Sequence, residues 1–149
     1  MNEELIAPCG MNCGICSGYL ALSSDVRSQG IRMPYCTGCR PRDKQCAFLK
    51  KKCQRLSSGQ VQYCHECADF PCENLRKLDR RYQTYFRMSM IENLEDIREN
   101  GIKQFLEKQE EKWKCPECGG VICCHNGICF NCGLHKLKNK KKRYRWEGD

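Results

Sequence analysis

The sequence predicts a small metal-stabilised α+β protein: a cysteine-rich N-terminal lobe of helix and loop, two amphipathic helices, and a C-terminal β-hairpin carrying a pair of metal knuckles. Three observations predict it. Sixteen of the 149 residues are cysteine, helical periodicity is confined to a nearly cysteine-free middle segment, and two C-x-x-C-G turns stand ten residues apart near the end. The division this implies is a cysteine-rich metal-binding region over 1–78, a helical segment over 79–114, a ribbon over 115–135 and a basic tail over 136–149.

The N-terminal lobe cannot rest on an ordinary core. Only 40% of the residues are hydrophobic, part of that fraction is cysteine, and the mean hydropathy is −0.71. Structural zinc contributes on the order of 10–16 kcal/mol per site in small peptides, enough to replace a core that a short chain cannot bury. Cysteine at this density means either disulfides or metal. The opening Met1 to Cys9 has neither a basic n-region nor an apolar h-region, so the expectation is a cytoplasmic protein with reduced thiols. No run of about eighteen apolar residues occurs, which excludes a membrane-spanning helix.

Within this lobe, 14–28 reads as a helix carrying Ile15, Tyr19, Leu20 and Leu22, and a short turn is expected around Cys46 to Leu49. Gly30, Pro34, Gly38 and Pro41 make the stretch between them loop-like. Cys9, Cys13 and Cys16 have C-x3-C-x2-C spacing, a pattern also used by radical enzymes, but this chain lacks the length and the strands of their barrel. Cys36 and Cys39 pair naturally with Cys46 and Cys53, four thiols within eighteen residues. Cys64, Cys67 and Cys72 join Cys9, Cys13 and Cys16 as a six-thiolate set. Six thiolates admit one metal with two free thiols, two zincs with shared sulfurs, or an iron–sulfur cluster. The region lacks the cysteine run followed by proline of bacterial ferredoxins, which tilts the reading to zinc. His65 lies between ligands, as either a ligand or a spacer.

In the middle segment, Ser89-Met90-Ile91-Glu92 reads as a capping box and Asn100-Gly101 as a stop. Ile91, Leu94 and Ile97 recur at helical spacing before the glycine, and Ile102, Phe105, Leu106 and Trp113 after it. Two helices in tandem are expected, with stripes packed against the cysteine-rich lobe.

Cys115 and Cys118 with Cys129 and Cys132 are the clearest site. Each C-x-x-C-G turn points two thiolates at one ion, and two such turns complete a tetrahedron, so a structural Zn(Cys)4 ribbon is expected. Asn126-Gly127 between them is a preferred hairpin turn. Cys123 and Cys124 read as small packing residues, and His125 as a neighbour of the site at most.

The formal charge is +8, and Lys136, Lys138, Lys140, Lys141, Lys142, Arg143 and Arg145 crowd the tail. With Tyr144 and Trp146 interleaved, the tail and ribbon suit a nucleic-acid or protein partner; a solvated terminus is the alternative. Nothing marks an enzyme. Zinc hydrolysis needs an open coordination position beside an acid or base, and Asp69 and Glu73 are better explained as a solvated residue and a first-turn helix charge. The expected cofactors are two or more zinc ions, with an iron–sulfur cluster in the N-terminal lobe as the alternative; the expected role is a metal module that presents a surface, or else redox or thiol chemistry.

The groups Pro8-Cys9-Gly10 with Cys13 and Cys16, Cys36-Thr37-Gly38-Cys39, Cys46 with Cys53, and Cys64-His65-Glu66-Cys67-Ala68-Asp69-Phe70-Pro71-Cys72 agree in order and spacing with a known pattern. They resemble the small cysteine-rich proteins grouped as domain of unknown function 3795, over roughly the first half of the chain. The resemblance implies a bacterial or archaeal cytoplasmic protein that binds metal and has no established activity. The ribbon with His125 resembles an extension found in some members.

Overall fold

The computed structural model describes residues 1–42 and 49–149. Cys46, and most of the turn expected around it, therefore lie outside the described residues. The longer helices are α1 (Ser17–Ser23), α4 (Glu73–Phe86) and α5 (Met90–Lys112); α2 (Leu49–Lys52), α3 (Gln54–Ser57) and α6 (Leu134–Asn139) are short. Single turns of 3-10 helix lie at Glu3–Leu5, Cys13–Ile15 and Cys64–Glu66. The helix expected over 14–28 is thus split into the Cys13–Ile15 turn and α1, separated by Cys16 in an extended conformation.

The predicted α+β class is not what the chain adopts. Among the described residues there is no strand or sheet, only isolated bridges between Ile6 and Asn12, Lys114 and Val121, and Ile122 and Cys129. The C-terminal β-hairpin fails because part of its backbone is paired with distant parts of the chain. The Cys123 amide does bond the Ile128 carbonyl at 2.9 Å, but the next amide, of Cys124, turns away to the Ile15 carbonyl at 3.0 Å. The Cys124 carbonyl accepts from Trp146 Nε1 at 2.8 Å, and the Ile128 amide bonds Asn126 Oδ1 at 3.0 Å. Backbone groups that a ladder needs are therefore satisfied elsewhere.

α4 and α5 are joined through one carboxylate. Asp79, buried on α4, accepts from Ser89 Oγ and from the Met90 and Ile91 amides at 2.8, 2.7 and 3.2 Å. Ser89 Oγ in turn accepts from the Glu92 amide at 3.1 Å, so the N-terminus of α5 is capped twice. Gly101 interrupts α5 with φ 82° and ψ 161°, dividing it into two helical stretches. Lys108 bonds Asp96 across that kink at 2.7 Å.

The Pro8-Cys9-Gly10 loop lies against the first stretch of α5. Asn93 Nδ2 donates to the Gly10 carbonyl at 2.9 Å, and a Cβ on Gly10 would sit 2.5 Å from the Met90 carbonyl oxygen. Only glycine allows so close an approach at φ 85°. The second stretch of α5 holds the chain start, where the Met1 amine pairs with Glu110 and buried Asn12 donates to Gln109 Oε1 at 3.3 Å.

The main apolar cluster gathers Ala7, Met11, Ile15, Leu75, Phe86, Met90, Leu94 and Trp113, with Cys9, Cys13 and Cys124 among them. A second joins Leu20, Val26 and Ile31 near α1 to Cys123, Ile128, Phe130 and Leu137. Cys123 and Cys124 thus face opposite clusters, both 0% exposed, and the C-terminal region is built into the body of the protein.

Candidate metal centres

The C-terminal knuckles form a complete donor set. The Sγ atoms of Cys115, Cys118, Cys129 and Cys132 all lie within 4.8 Å of one another. Cys115 and Cys132 are 3.7 Å apart, and Cys118 and Cys129 are 3.5 Å apart. A tetrahedral ion with metal–sulfur bonds of about 2.3 Å separates its sulfurs by about 3.8 Å, so these four can hold one metal ion. The backbone of Gly120 runs beside them: a Cβ there would meet Cys129 Sγ at 3.1 Å and Cys118 Sγ at 3.3 Å. Cys115 and Cys129 are buried, Cys118 and Cys132 exposed.

Donors aimed at the sulfurs favour thiolate. Asn131 Nδ2 and the Gly120 amide each reach Cys118 Sγ at 3.4 Å, and they pull this thiol from its ordinary 9.0 to about 6. Cys132 is pushed up instead, because its thiol hydrogen-bonds the neighbouring sulfurs of Cys118 and Cys115. Of these two thiols, Cys118 is thus the readier to ionise.

His125 is not beside these sulfurs. It is buried under α1 and α4: its Nδ1 accepts from the Ser17 amide at 3.2 Å, and its Nε2 lies 3.3 Å from Tyr82 Oη. Burial, aided by the charge of Arg81, lowers its pKa from 6.5 to about 4, so the ring is neutral. Cys123 is pushed up to about 12 by burial, and Cys124 is raised by the same cause. Both pack within the apolar clusters, and the third thiol near them is Cys16.

The N-terminal thiols are gathered differently from the sequence grouping. Cys39 lies beside Cys13, its amide donating to Cys13 Sγ at 3.3 Å, and both Cys39 and Cys64 add their charge to the environment of Cys9. Cys64 in turn feels Cys72, Cys53 and Cys67. Cys36 accepts from the Gly38 amide at 3.4 Å and from Arg42 Nη1 at 3.2 Å. Cys16 joins Cys123 and Cys124. The described members of the local set, Cys36, Cys39 and Cys53, do not close into one group, and among the described residues only the C-terminal four are packed tightly enough for a single ion. Burial pushes Cys9 and Cys64 up to about 12.

Spacing could not have shown two of these features. Arg55, whose Nη1 donates to Cys67 Sγ at 2.7 Å and to Asp69 Oδ2 at 2.9 Å, belongs to no cysteine motif. The Ser17–His125 bond spans more than a hundred residues of sequence, beyond any local pattern.

Residues 5–77 match the model of a family described as protein of unknown function (DUF3795). The N-terminal lobe is similar to that family. The match ends inside α4, so the C-terminal knuckles lie outside the DUF3795 region. No curated protein and no solved structure matches the chain. Among the described residues, no helix is long and apolar enough to cross a membrane.

Proposed function

We propose that this protein is a metal-organised binding module for nucleic acid, in which zinc at Cys115, Cys118, Cys129 and Cys132 sets the position of a lysine-rich face. The observation that carries this reading is the coupling of α6 to the knuckle. Gly133, directly after Cys132, is the N-cap of α6 and its amide bonds the Cys129 carbonyl at 2.8 Å. Leu134 and Leu137 anchor the helix in the second apolar cluster. That leaves Lys136 and Lys138 pointing outward, followed by exposed Lys141 and Lys142. Among the described residues, none of these lysines has a carboxylate partner within ion-pair distance.

Four thiolates close the coordination sphere, so the ion organises the fold and performs no hydrolysis. The tail is not a loose stacking arm. Trp146 is held by its bond to Cys124 and by Arg87, whose guanidinium lies 4.1 Å from the ring centroid. Arg143 Nη1 donates to the Arg32 carbonyl at 2.7 Å, and Arg145 lies 4.2 Å from the Tyr85 ring centroid. Phosphate contacts therefore fall to the lysines, and the expected binding is weakly sequence-selective.

Filter binding to single- and double-stranded oligonucleotides across a salt series tests this. Affinity should fall steeply with salt, and the triple substitution K138E/K141E/K142E should flatten the log–log slope by about 2 to 3. Absence of binding at low salt, or a slope the triple variant leaves intact, overturns it.

A further inference from the structure

We propose that Cys53, Cys64, Cys67 and Cys72 form a second metal centre, of the polynuclear iron–sulfur class, separate from the C-terminal zinc site. The four come from three places in the chain. Cys53 and Cys72 precede α3 and α4 as their N-cap residues, and Cys64 and Cys67 bracket a 3-10 turn closed by the Cys67 amide on the Cys64 carbonyl at 3.1 Å. The Cys64 amide is tied to the Pro8 carbonyl at 2.8 Å, which fixes that turn against the N-terminal loop. Cys53, Cys64 and Cys72 pack half-buried against the main apolar cluster, a setting that screens a cluster from water.

Two further observations point to a ligand. Arg55 Nη1 donates to Cys67 Sγ at 2.7 Å, a charged donor matched to a thiolate, as N–H donors to ligating sulfur are in iron–sulfur sites. Nε2 of His65, between Cys64 and Cys67, is buried with no hydrogen-bond partner among the described residues, a state that calls for an ion or a group nearby.

The looser arrangement of these sulfurs favours the polynuclear class. A single tetrahedral ion draws its sulfurs to the distances seen at the C-terminal knuckles, and no three of these N-terminal thiols lie so close. Cys53, Cys64 and Cys72 nonetheless pack on one apolar cluster and the 3-10 turn holds Cys67 next to Cys64; Cys72, Cys53 and Cys67 all act on the Cys64 thiol. Thiols gathered around one point yet held apart suit a centre in which several irons and bridging sulfides lie between the terminal thiolates. On binding, each thiol gives up its proton and its sulfur bonds one iron, with ferric and ferrous iron and sulfide supplied from outside.

Full-length protein loaded anaerobically with mixed ferric and ferrous iron and inorganic sulfide tests the assignment. The expected product is coloured, contains iron and acid-labile sulfide, and keeps one zinc. Cys64→Ser and Cys72→Ser should lose most of the iron while keeping that zinc, which reports that the variants are folded; Cys16→Ser should keep both. Arg55→Gln should retain the cluster with a more negative midpoint potential. A colourless protein with zinc alone, iron loss equal in C16S and C64S, or an unshifted potential in R55Q overturns the proposal. None of these outcomes depends on nucleic-acid binding.

Discussion

The backbone amide of Ser17, at the start of α1, donates to Nδ1 of His125 at 3.2 Å and so joins the N-terminal lobe to the turn between the C-terminal knuckles. The bond requires an unprotonated acceptor nitrogen, and Phe86 packs edge-on against the buried ring with centroids 4.6 Å apart. Protonation would place an unpaired charge in that setting.

Stability should therefore fall in mild acid. The pKa of His125 is about 4 in the folded protein against an ordinary 6.5, so the unfolded chain binds the extra proton first. The contribution is complete above about pH 6.5 and is lost as the pH falls toward 4, roughly 3 kcal/mol in all. Urea midpoints of wild type and His125→Asn should differ least at the acid end of that window. Acid release of metal is common to both and cancels in the comparison; a difference independent of pH would contradict the buried neutral ring.

Asp79 should be one of the costliest single side chains to remove. Its Oδ1 satisfies three donors at the start of α5 and its Oδ2 accepts from Gln83 at 2.7 Å. Asp79→Ala strands these buried donors, at an expected cost of about 3 kcal/mol in urea denaturation. Asp79→Asn keeps one acceptor oxygen and should lose about half as much. Equal stability of the two variants would show that the acceptor geometry is not what matters.

What was legible in the sequence follows the range of the interactions involved. The Ser89 cap, the Gly101 interruption and the gathering of Cys115, Cys118, Cys129 and Cys132 are set by residues close to one another in sequence, and their spacing points to them directly. The hairpin between the knuckles was misjudged because its turn residues are correct while its backbone partners, Ile15 and Trp146, come from either end of the chain. Grouping the N-terminal thiols by proximity in sequence met the same obstacle: the Cys64 turn is tied to Pro8, and Cys39 to Cys13, by long-range contacts. His125 and Cys16, assigned to different metal regions or to none, meet through α1.

Gly10→Ala should be severe for so small a change. The left-handed backbone disfavours any Cβ, and this one would meet the backbone oxygen of Met90, which cannot move without uncapping α5. A loss of at least about 2 kcal/mol is expected in chemical denaturation. Gly30→Ala is the control: φ there is 79°, but a Cβ would meet nothing within 4 Å, so the cost should be that of the backbone alone. Similar losses in both would remove the packing argument.

The pH at which the C-terminal site gives up its metal should depend on Asn131. Protons compete with the ion for the thiolates, and the Cys118 thiolate is favoured because Asn131 Nδ2 and the Gly120 amide donate to its sulfur. Asn131→Ala removes the larger of those two effects while leaving all four ligands in place. The thiol then rises toward its ordinary 9.0, so protons displace the bound ion at a higher pH than in wild type. A colorimetric chelator titrated against pH measures the shift directly. Hydrogen exchange at the end point should show the amides of 120–134 losing protection, while the Asp79-capped start of α5 keeps it. An unchanged release pH would mean that the metal, and not the side-chain donor, sets the charge on Cys118.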